Sequence, residues 1–476
     1  MKLITKRFLY SFFILLFFII TPVILAFASG YRFNTKMLKF EKTGSLIVES
    51  VPKNSNIFIN GKLYKTKTPA KINYLLGDAY ELEINKNGYF PWKNNIKIVS
   101  NLVTFIKTVY LTKQEAPRLV LGGDVVSFQN IPGSQNMIIQ ERKNNEIVLM
   151  LFDYDKESLE QIKSFPLDSE IYFIGWSNNN KKLLFESTLK EKKQFFILNT
   201  EVMDISSVFD TLQIHFNAMQ WDFFDNTLLY GSDESGLYQI DLALVSTKKI
   251  TNASIKNFVV ASPFIYHTSL EKTGSYLKRS EISNSSKTQT VKIPDTTQYF
   301  IELISKDLML LTERSKGDSF IIKTKIFSSE NKNDMEDNTI FEGKIKNIRW
   351  TDDKNRFLYS NDFELYIFDV TAKTEKLINR FGVPIKNIGW ALNENSIVYQ
   401  LDNTLYITDA KPYNEKNVYL LAQGYPLQNF SIEGRMGNSI WINGKINDNG
   451  GLFIYTLISP SDLPFFEQVM QPQASY

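Results

Sequence analysis

The chain of 476 residues contains no cysteine and only two histidines, His215 and His267. The lack of cysteine excludes disulfide bonds, thiolate metal ligands and cysteine nucleophiles. Histidine is the commonest general base and a common metal ligand, so its scarcity leaves few candidates for either role. The sequence also lacks a Gly-x-Ser-x-Gly elbow, a Walker loop and a His-Glu-x-x-His pair. We therefore predict no catalytic residue, no cofactor and no metal site.

The chain has no strong excess of charge of either sign. It contains 54 Lys and Arg residues against 51 Asp and Glu residues, a net charge of +3. Nucleic-acid-binding domains usually show a clear basic excess, so no nucleic-acid partner is predicted. Apolar residues make up 43% of the chain and aromatic residues 14%, which is ample material for packed cores. The length corresponds to about two to four domains.

One long apolar run lies at the N-terminus. The segment from Phe8 to Ala28 carries no charge, and as a helix it spans roughly 31 Å, close to the thickness of a bilayer core. Ala26-Phe27-Ala28 also fits a signal-peptide cleavage site, but signal-peptide apolar cores usually have only about 7–15 residues. We predict a cytoplasmic tip and a retained transmembrane signal-anchor over 1–30, with cleavage after Ala28 as the alternative. A linker is predicted over 31–43, with the bulk of the chain extracytoplasmic.

Residues 44–113 have the pattern of a small β-module. Gly44-Ser-Leu-Ile-Val-Glu-Ser alternates apolar and polar residues as a half-buried strand does. Asn60-Gly61 predicts a tight hairpin, since both turn residues need positive φ. Further strands are predicted around Ala70, Tyr80, Ile96 and Val103.

This order of strands and turns resembles the PEGA domain family. The residues that carry the resemblance are Gly44-Ser-Leu-Ile-Val, Ser50-Val-Pro52, Ile57-Phe-Ile-Asn-Gly61, Thr68-Pro69, Gly77 and Lys86-Asn-Gly-Tyr89. At the tetrapeptide that names the family, this chain has Pro52-Lys-Asn-Ser-Asn instead. The resemblance implies a compact β-sandwich-like module of surface and envelope proteins, without catalytic machinery.

A repeated phrase organises the rest of the chain. Lys-Asn-Ile-Arg-Trp at 346–350 returns as Lys-Asn-Ile-Gly-Trp at 386–390, and in both copies a Tyr-containing strand and a strand ending in Asp follow. Four short strands per unit and a period of about 40–47 residues are typical of a β-propeller blade. The sequence predicts an all-β propeller over 117–458, with eight blades favoured and seven as the rival. The units start near 125, 171, 217, 257, 299, 346, 386 and 428.

The last unit holds only three strands before Pro460. Its fourth strand is predicted to be Arg118-Leu-Val-Leu121, which precedes the first unit. Pairing the two ends of the ring in this way removes open sheet edges. Residues 459–476 are then left as a C-terminal tail.

The array also resembles the TolB-type and WD-repeat-like propellers. Trp176-Ser-Asn-Asn-Asn-Lys181 and Trp350-Thr-Asp-Asp-Lys354 follow their blade phrase of a Trp, a polar turn and a Lys, although its Pro and Gly are missing. Leu-Tyr-x-x-Asp recurs at 237–241, 365–369 and 405–409. The resemblance implies the propeller fold and specifies no ligand.

The Trp and Asp residues of the repeat are its most conspicuous side chains. Because each copy has its own set, they cannot all belong to one active site. We predict that the Trp rings pack between neighbouring blades and that the Asp residues at strand ends cap turns. This structural repeat signature consists of Trp176, Trp221, Trp350, Trp390, Asp241, Asp369 and Asp409.

Together these features predict a membrane-anchored, extracytoplasmic binding or scaffold protein of the bacterial cell envelope. Loops fixed on a rigid scaffold commonly carry recognition, so the propeller is expected to present a face to a protein or glycan partner. The alternative is a propeller enzyme, a glycan lyase or hydrolase, with an acidic site on the axis. The side chains that reach the axis would distinguish the two.

Overall fold

A computed structural model describes the chain except for residues 1–2, 36, 135, 155, 253–254, 256, 294–298, 306–307, 316–317, 326–340, 412–415 and 464–476. The described part is mostly β-structure, as the sequence predicts. It consists of an N-terminal helix, a hairpin, a small two-sheet module and a ring of eight sheets. Most of the predicted tail, 459–476, lies outside the described residues.

The N-terminal helix, α1, runs from Leu3 to Ala28. Its segment Phe8–Ala28 has a mean hydropathy of 2.7 and is long enough to cross a membrane, a property that signal sequences share. Where the sequence predicts only a linker, a hairpin forms from β1 (Tyr31–Asn34) and β2 (Lys39–Lys42). Strand pairing gives the backbone polar groups of this segment partners within the protein.

Two sheets pack face to face in the module. The central strand of one sheet, β3 (Gly44–Val51), pairs antiparallel with β6 (Ala70–Leu75) and parallel with β9 (Val103–Tyr110). Their apolar faces enclose one core that includes Leu46, Ile57 and Trp92. Asn60 and Gly61 both have positive φ, as the hairpin pattern predicts. The other strands are β4 (Asn56–Ile59), β5 (Lys62–Leu63), β7 (Ala79–Asn85) and β8 (Trp92–Lys97).

Eight four-stranded antiparallel sheets follow, and we number them blades 1–8. Eight is the number of blades that the sequence favours over seven. The first strands of successive blades contact one another along much of the ring, which places them around the axis. We therefore call the first strand of each blade its inner strand.

Blades 1–4 follow one another without interruption by larger elements. Blade 1 contains β11 (Asp124–Asn130), β12 (Asn136–Lys143), β13 (Glu146–Asp153) and β14 (Ser158–Pro166). Blade 2 contains β15 (Glu170–Trp176), β16 (Lys182–Leu189), β17 (Lys192–Asn199) and β18 (Asp204–Ser207), and the short helix α2 (Val208–Leu212) follows. Blade 3 contains β19 (Ala218–Trp221), β20 (Leu228–Ser232), β21 (Leu237–Asp241) and β22 (Ser246–Thr251). Blade 4 contains β23 (Phe258–Ala261), β24 (Phe264–Glu271), β25 (Gly274–Glu281) and β26 (Asn284–Ile293).

Blades 5–8 repeat the pattern and complete the ring. Blade 5 contains β27 (Tyr299–Ser305), β28 (Leu308–Ser315), β29 (Asp318–Lys325) and β30 (Glu342–Lys344). Blade 6 contains β31 (Asn347–Trp350), β32 (Arg356–Ser360), β33 (Glu364–Asp369) and β34 (Thr374–Arg380). Blade 7 contains β35 (Ile385–Ala391), β36 (Ser396–Leu401), β37 (Thr404–Asp409) and β38 (Val418–Gln423). Blade 8 contains β39 (Leu427–Glu433), β40 (Ser439–Ile446), β41 (Asn449–Thr456) and, as its outermost strand, β10 (Arg118–Gly122).

Both ends of the array therefore meet in blade 8. Strand β10 pairs antiparallel with β41, in a register that sets Leu119 opposite Phe453. Blades 8 and 1 also share an apolar cluster that contains Val125 and Trp441. Asn443 Nδ2 donates a hydrogen bond to the Val125 carbonyl oxygen across the same boundary (2.9 Å). These contacts close the ring and leave blade 8 no open outer edge on β41.

The up-and-down order of strands gives the ring two distinct faces. Turns between first and second strands, and between third and fourth strands, lie on one face, which we call the proximal face. Turns between second and third strands lie on the other, the distal face. Several distal turns are tight pairs of residues with positive φ, as at Asn144-Asn145, Lys190-Glu191 and Asn447-Asp448.

Candidate functional site: the junction of module and propeller

The repeated Trp residues lie at the ends of the inner strands of blades 2, 3 and 6 and one residue before the end in blade 7. Each belongs to an apolar cluster shared by its own blade and the preceding one. Trp221, for example, packs in one cluster with Leu184 of blade 2 and Leu229 of blade 3. The rings thus lie between sheets, where they contribute to the core that holds the blades together.

Two of these indoles also make hydrogen bonds across a blade boundary. Trp221 Nε1 donates to the Gly175 carbonyl oxygen (3.1 Å), and Trp390 Nε1 donates to the Arg349 carbonyl oxygen (3.0 Å). In both cases the acceptor residue directly precedes the Trp of the preceding blade. Trp176 Nε1, by contrast, is buried and has no hydrogen-bond partner among the described residues.

We expect Trp221→Phe to destabilise the propeller more than Trp176→Phe does. Both changes replace an indole by a phenyl ring, but only the first removes an indole hydrogen bond and leaves the Gly175 carbonyl oxygen without its donor. The expected difference in the free energy of unfolding is about 1–2 kcal/mol. Denaturant unfolding of the two variants measures it, and equal losses would show that the indole bond contributes nothing.

The repeated Asp residues have two different roles. Asp241 accepts hydrogen bonds from the backbone N–H groups of Ala243 and Leu244, and Asp369 accepts one from that of Ala372. These two therefore cap the turns that follow their strands. Asp409, at the same position in blade 7, instead accepts hydrogen bonds from side chains, one of which belongs to the module.

The carboxylate of Asp409 lies where the module docks on blade 7. Its Oδ2 atom accepts hydrogen bonds from Trp92 Nε1 of the module and from Asn417 Nδ2, both at 3.0 Å. Asn417 also binds the backbone of Lys93, accepting from its N–H and donating to its carbonyl oxygen, again at 3.0 Å. Asn417 thus links the edge of module strand β8 to the carboxylate.

Aromatic contacts extend this patch along blade 7. The ring of Phe90 stacks on that of Tyr419, with centroids 4.7 Å apart and an interplanar angle of 10°. The Tyr419 hydroxyl donates to the Pro91 carbonyl oxygen (2.9 Å). Burial, together with the charge of Asp409, raises the pKa of Tyr419 above its ordinary range. The tyrosine is therefore a hydrogen-bond donor at any physiological pH.

A second patch joins the module to blade 8 and to the start of the predicted tail. Asp462 accepts a hydrogen bond from the Tyr89 hydroxyl and pairs with Lys86 Nζ (3.2 Å). The Lys113 N–H donates to the Leu457 carbonyl oxygen (2.8 Å), where the module chain leads toward β10. With contacts to two blades, the module is held in one orientation on the proximal face.

Sequence reasoning missed this junction, although one signal was present. The connection between the third and fourth strands of blade 7 spans 410–417, twice the length of 242–245 in blade 3 and 370–373 in blade 6. Insertions in single copies of a repeat often lie at binding surfaces, and blade 7 shares this signal with blade 5, where the connection spans 326–341. Asn417, at its end, is one of the residues of blade 7 that bind the module.

Burial raises the pKa of Asp409 to about 6, although hydrogen bonds from Asn417 and Trp92 and the nearby charge of Lys411 act in the opposite direction. The charged carboxylate is thus partly desolvated by the docked module. A carboxyl group whose pKa is raised by folding favours the folded state most at low pH. This contribution is full below the ordinary pKa of about 4 and is lost as the pH rises through 6.

We therefore expect Asp409→Asn to remove one pH-dependent component of stability. Relative to this variant, the wild-type protein should lose up to roughly 3 kcal/mol as the pH rises from about 4 to about 7. Denaturant unfolding at several pH values measures the difference. Asp369→Asn, at the turn-capping position of blade 6, is the matched control for the same substitution outside the junction. If the free energy of unfolding depends on pH equally in the wild-type protein and in Asp409→Asn, the expectation is wrong.

A small cleft lies beside Asp409, between the module and blade 7. Its volume of about 10 Å³ is room for roughly one water molecule. Its walls include Trp92 and Tyr110 of the module and Asn395 and Lys411 of blade 7. A cleft of this size is a feature of a packed interface and too small for a cofactor or a sugar.

The inner strands carry a second group of polar side chains. Arg349 stands where the repeat has Gly at 175 and 389, and its Nη2 atom donates to Asn387 Oδ1 of blade 7 (3.1 Å). Burial raises the pKa of Glu302, against the opposing charges of Lys354 and Arg349. Burial also raises the pKa of Glu433 in blade 8, where Ser431 donates to its carboxylate (2.7 Å).

The two histidines have separate surroundings. His215 stacks on Phe209, with ring centroids 4.0 Å apart. His267 is partly buried in blade 4, and burial with the charge of Lys278 lowers its pKa to about 4. In the part of the chain that the structure describes, no three His, Asp or Glu side chains come together as metal ligands.

An apolar N-terminal helix, a two-sheet module and an eight-bladed ring define a class of protein in which a propeller is presented on a small β-module. Residues 43–119 match the PEGA domain family, so the module is a PEGA domain. No curated protein sequence matches the chain.

Solved structures with a similar fold include an oligogalacturonate lyase in complex with manganese, at 10% identity and a TM-score of 0.40, covering 71% of this chain and 98% of the lyase. A eukaryotic initiation factor has 12% identity and a TM-score of 0.48, and the match covers 79% of this chain and 98% of the factor. Dipeptidyl peptidase 4 of Porphyromonas gingivalis has 10% identity and a TM-score of 0.48, and the match covers 71% of this chain and 58% of the peptidase. These likenesses are too distant to indicate a ligand or an activity, and the propeller fold rests on the eight sheets themselves.

Proposed function

We propose that this chain is a membrane-anchored, extracytoplasmic binding or scaffold protein of the bacterial cell envelope, and not an enzyme. In this proposal α1 is retained as a single transmembrane span, the PEGA domain is a rigid spacer, and the propeller presents its distal face to a protein or glycan partner. The observation that carries the proposal is the junction centred on Asp409 and Asn417. It fixes the module on the proximal face and leaves the distal turns unobstructed by it.

The composition of the distal face fits a docking role. Its tight turns restrict backbone movement, so little conformational entropy would be lost when a partner binds. Lys190 and Glu191 form one such turn in blade 2, beside Lys192 and Lys193. Polar, charged turns on a rigid scaffold are suited to recognition of a protein or glycan surface.

Site-specific photocrosslinking in intact cells tests the proposal. A photoreactive residue at Glu191, in the distal turn of blade 2, should crosslink a defined partner. The same residue at Val202, in the proximal turn of that blade, is the matched control and should yield much less of this product. Equal yields at both positions, or no discrete product from any distal turn, would contradict a distal docking face.

The second candidate function is a propeller enzyme that acts on a glycan at the axis. It is favoured by Glu302 and Glu433, two carboxyl groups on inner strands whose pKa burial raises. A raised pKa suits a general acid. In the described residues, however, no contact joins these two groups, which belong to blades 5 and 8. Glycan turnover by the wild-type protein that is lost in Glu302→Gln or Glu433→Gln would favour the enzyme.

A further inference from the structure

The hairpin of β1 and β2 makes non-covalent contacts with both the apolar helix and the PEGA domain. Arg32 donates hydrogen bonds to the carbonyl oxygens of Phe27 (2.9 Å) and Tyr31 (2.7 Å). Its guanidinium group also lies over the ring of Phe27 at 4.8 Å. Phe40 of β2 packs edge-on against the same Phe27 ring, with centroids 6.2 Å apart. Both strands of the hairpin therefore contact the last turn of α1.

This packing fixes the depth of the hairpin relative to the helix. Phe27 belongs to the apolar segment Phe8–Ala28, whose length matches the thickness of a bilayer core. An element that packs against Phe27 must lie level with the end of the span. If α1 crosses the membrane, the hairpin is then at the boundary between acyl chains and headgroups.

The side chains of the hairpin suit this environment. Met37 and Leu38, at its tip, are 64% and 77% exposed, and Phe33 and Phe40 are also exposed. Apolar and aromatic side chains at such exposure are stabilised in the interfacial region of a bilayer. The segment 31–43 carries four basic residues and one acidic residue. This balance complements the phosphates of the headgroups.

The hairpin is also tied to the PEGA domain. The N–H and Oγ1 of Thr43 both donate to the Gly30 carbonyl oxygen, at 3.1 and 2.7 Å. Arg32 lies over the ring of Tyr74 at 4.0 Å, and the Asn101 N–H donates to the Thr43 carbonyl oxygen at 3.0 Å. The loop beside these contacts exposes Leu102. The hairpin therefore cannot swing away from the end of the helix without breaking contacts on both sides.

We propose that the hairpin Tyr31–Lys42 is a membrane-interfacial element, seated among the phospholipid headgroups of the extracytoplasmic leaflet, that sets the orientation of the PEGA domain on the bilayer. This inference rests on the proposed function, because it requires α1 to remain as a span. It assigns to the hairpin a lipid-binding role, beyond that of a linker. Together with the junction at Asp409, it makes a continuous ordered path from the membrane to the propeller.

Fluorescence quenching in proteoliposomes tests the inference on the full-length protein. The chain has no cysteine, so single-cysteine variants carry one polarity-sensitive dye each. Leu38→Cys reports the hairpin tip, and Phe18→Cys reports the middle of the span. Leu270→Cys, at the distal end of blade 4, is the matched control because Leu270 is 74% exposed, close to the 77% of Leu38. Vesicles of phosphatidylethanolamine and phosphatidylglycerol contain lipids with quenchers at a shallow or a deep acyl position.

We expect the shallow quencher to reduce the fluorescence of dye at position 38 about three times or more as strongly as that of dye at position 270. The deep quencher should act more weakly on dye at position 38 than on dye at position 18. If position 18 is quenched by deep lipids but position 38 behaves like position 270, the span exists and the interfacial hairpin is wrong. If position 18 is also unquenched, both the span and the hairpin inference fail. Met37→Ser with Phe40→Ser in the Leu38→Cys background should reduce shallow quenching and leave that at position 18 unchanged.

Discussion

Gly451→Ala should open the ring of blades at its closing sheet. A Cβ atom at Gly451 would lie 2.0 Å from the Leu121 carbonyl oxygen, and the φ of +148° disfavours a side chain. The close neighbour is backbone of β10, the strand that completes blade 8, so the clash cannot be relieved by a side-chain rotation. We expect the free energy of unfolding to fall by about 3 kcal/mol or more. Denaturant unfolding measures this loss.

Gly450→Ala is the matched control for this prediction. Its nearest neighbour, the Gly123 carbonyl oxygen, is 3.8 Å from the built Cβ position, which is an ordinary contact. The expected effect is therefore within about 0.5 kcal/mol. Hydrogen exchange in β10 should quicken by about 100-fold in Gly451→Ala, since 1.4 kcal/mol corresponds to a factor of ten. Unchanged exchange there, or equal effects of both substitutions, would argue against closure through β10.

Trp92→Phe should loosen the junction between the PEGA domain and the propeller. The phenylalanine ring retains most of the contact in the module core, where Trp92 is buried, but it cannot donate to Asp409. Loss of a hydrogen bond to a charged, partly desolvated carboxylate costs about 1.5–3 kcal/mol. Exchange of the Lys93 N–H, which binds Asn417, should accelerate by about ten- to a hundredfold.

Tyr419→Phe should weaken the junction less than Trp92→Phe does. It removes the hydroxyl bond to the Pro91 carbonyl oxygen, which joins two neutral groups, while the ring can still stack on Phe90. The expected cost is smaller, about 0.5–1.5 kcal/mol. Amides of strand β4, which lies within the module, should exchange as in the wild-type protein in both variants. Faster exchange there as well would show that Trp92→Phe unfolds the module and does not act on the junction.

Much of the fold could be predicted because its signals are local. The apolar run Phe8–Ala28, the Asn60-Gly61 turn and the Trp–Tyr–Asp period each depend on residues close together in the chain. The predicted starts of the eight units lie within one residue of the observed inner strands, for example 386 against Ile385. Each copy of the repeat shows the same local pattern, because every blade must bury its apolar residues against its neighbours in the same way.

The candidate site was not predictable in the same way. Asp409 looks like Asp241 and Asp369 in sequence, yet only Asp409 binds the module. Its partner Trp92 is 317 residues earlier in the chain and has no place in the repeat. The hairpin Tyr31–Lys42 could not be predicted either, because its position depends on contacts with Phe27 and the PEGA domain.

The sequence by itself determined the apolar N-terminal helix, the PEGA domain and a propeller fold in which eight blades are favoured over seven, because period, turn chemistry and apolar length are properties of neighbouring residues. Only the tertiary structure decided where the module docks, which face of the ring it contacts and how the hairpin sits at the end of the helix. Those outcomes depend on contacts between distant segments, such as Trp92 with Asp409. No repeat or local pattern constrains such contacts, because each occurs once in the chain.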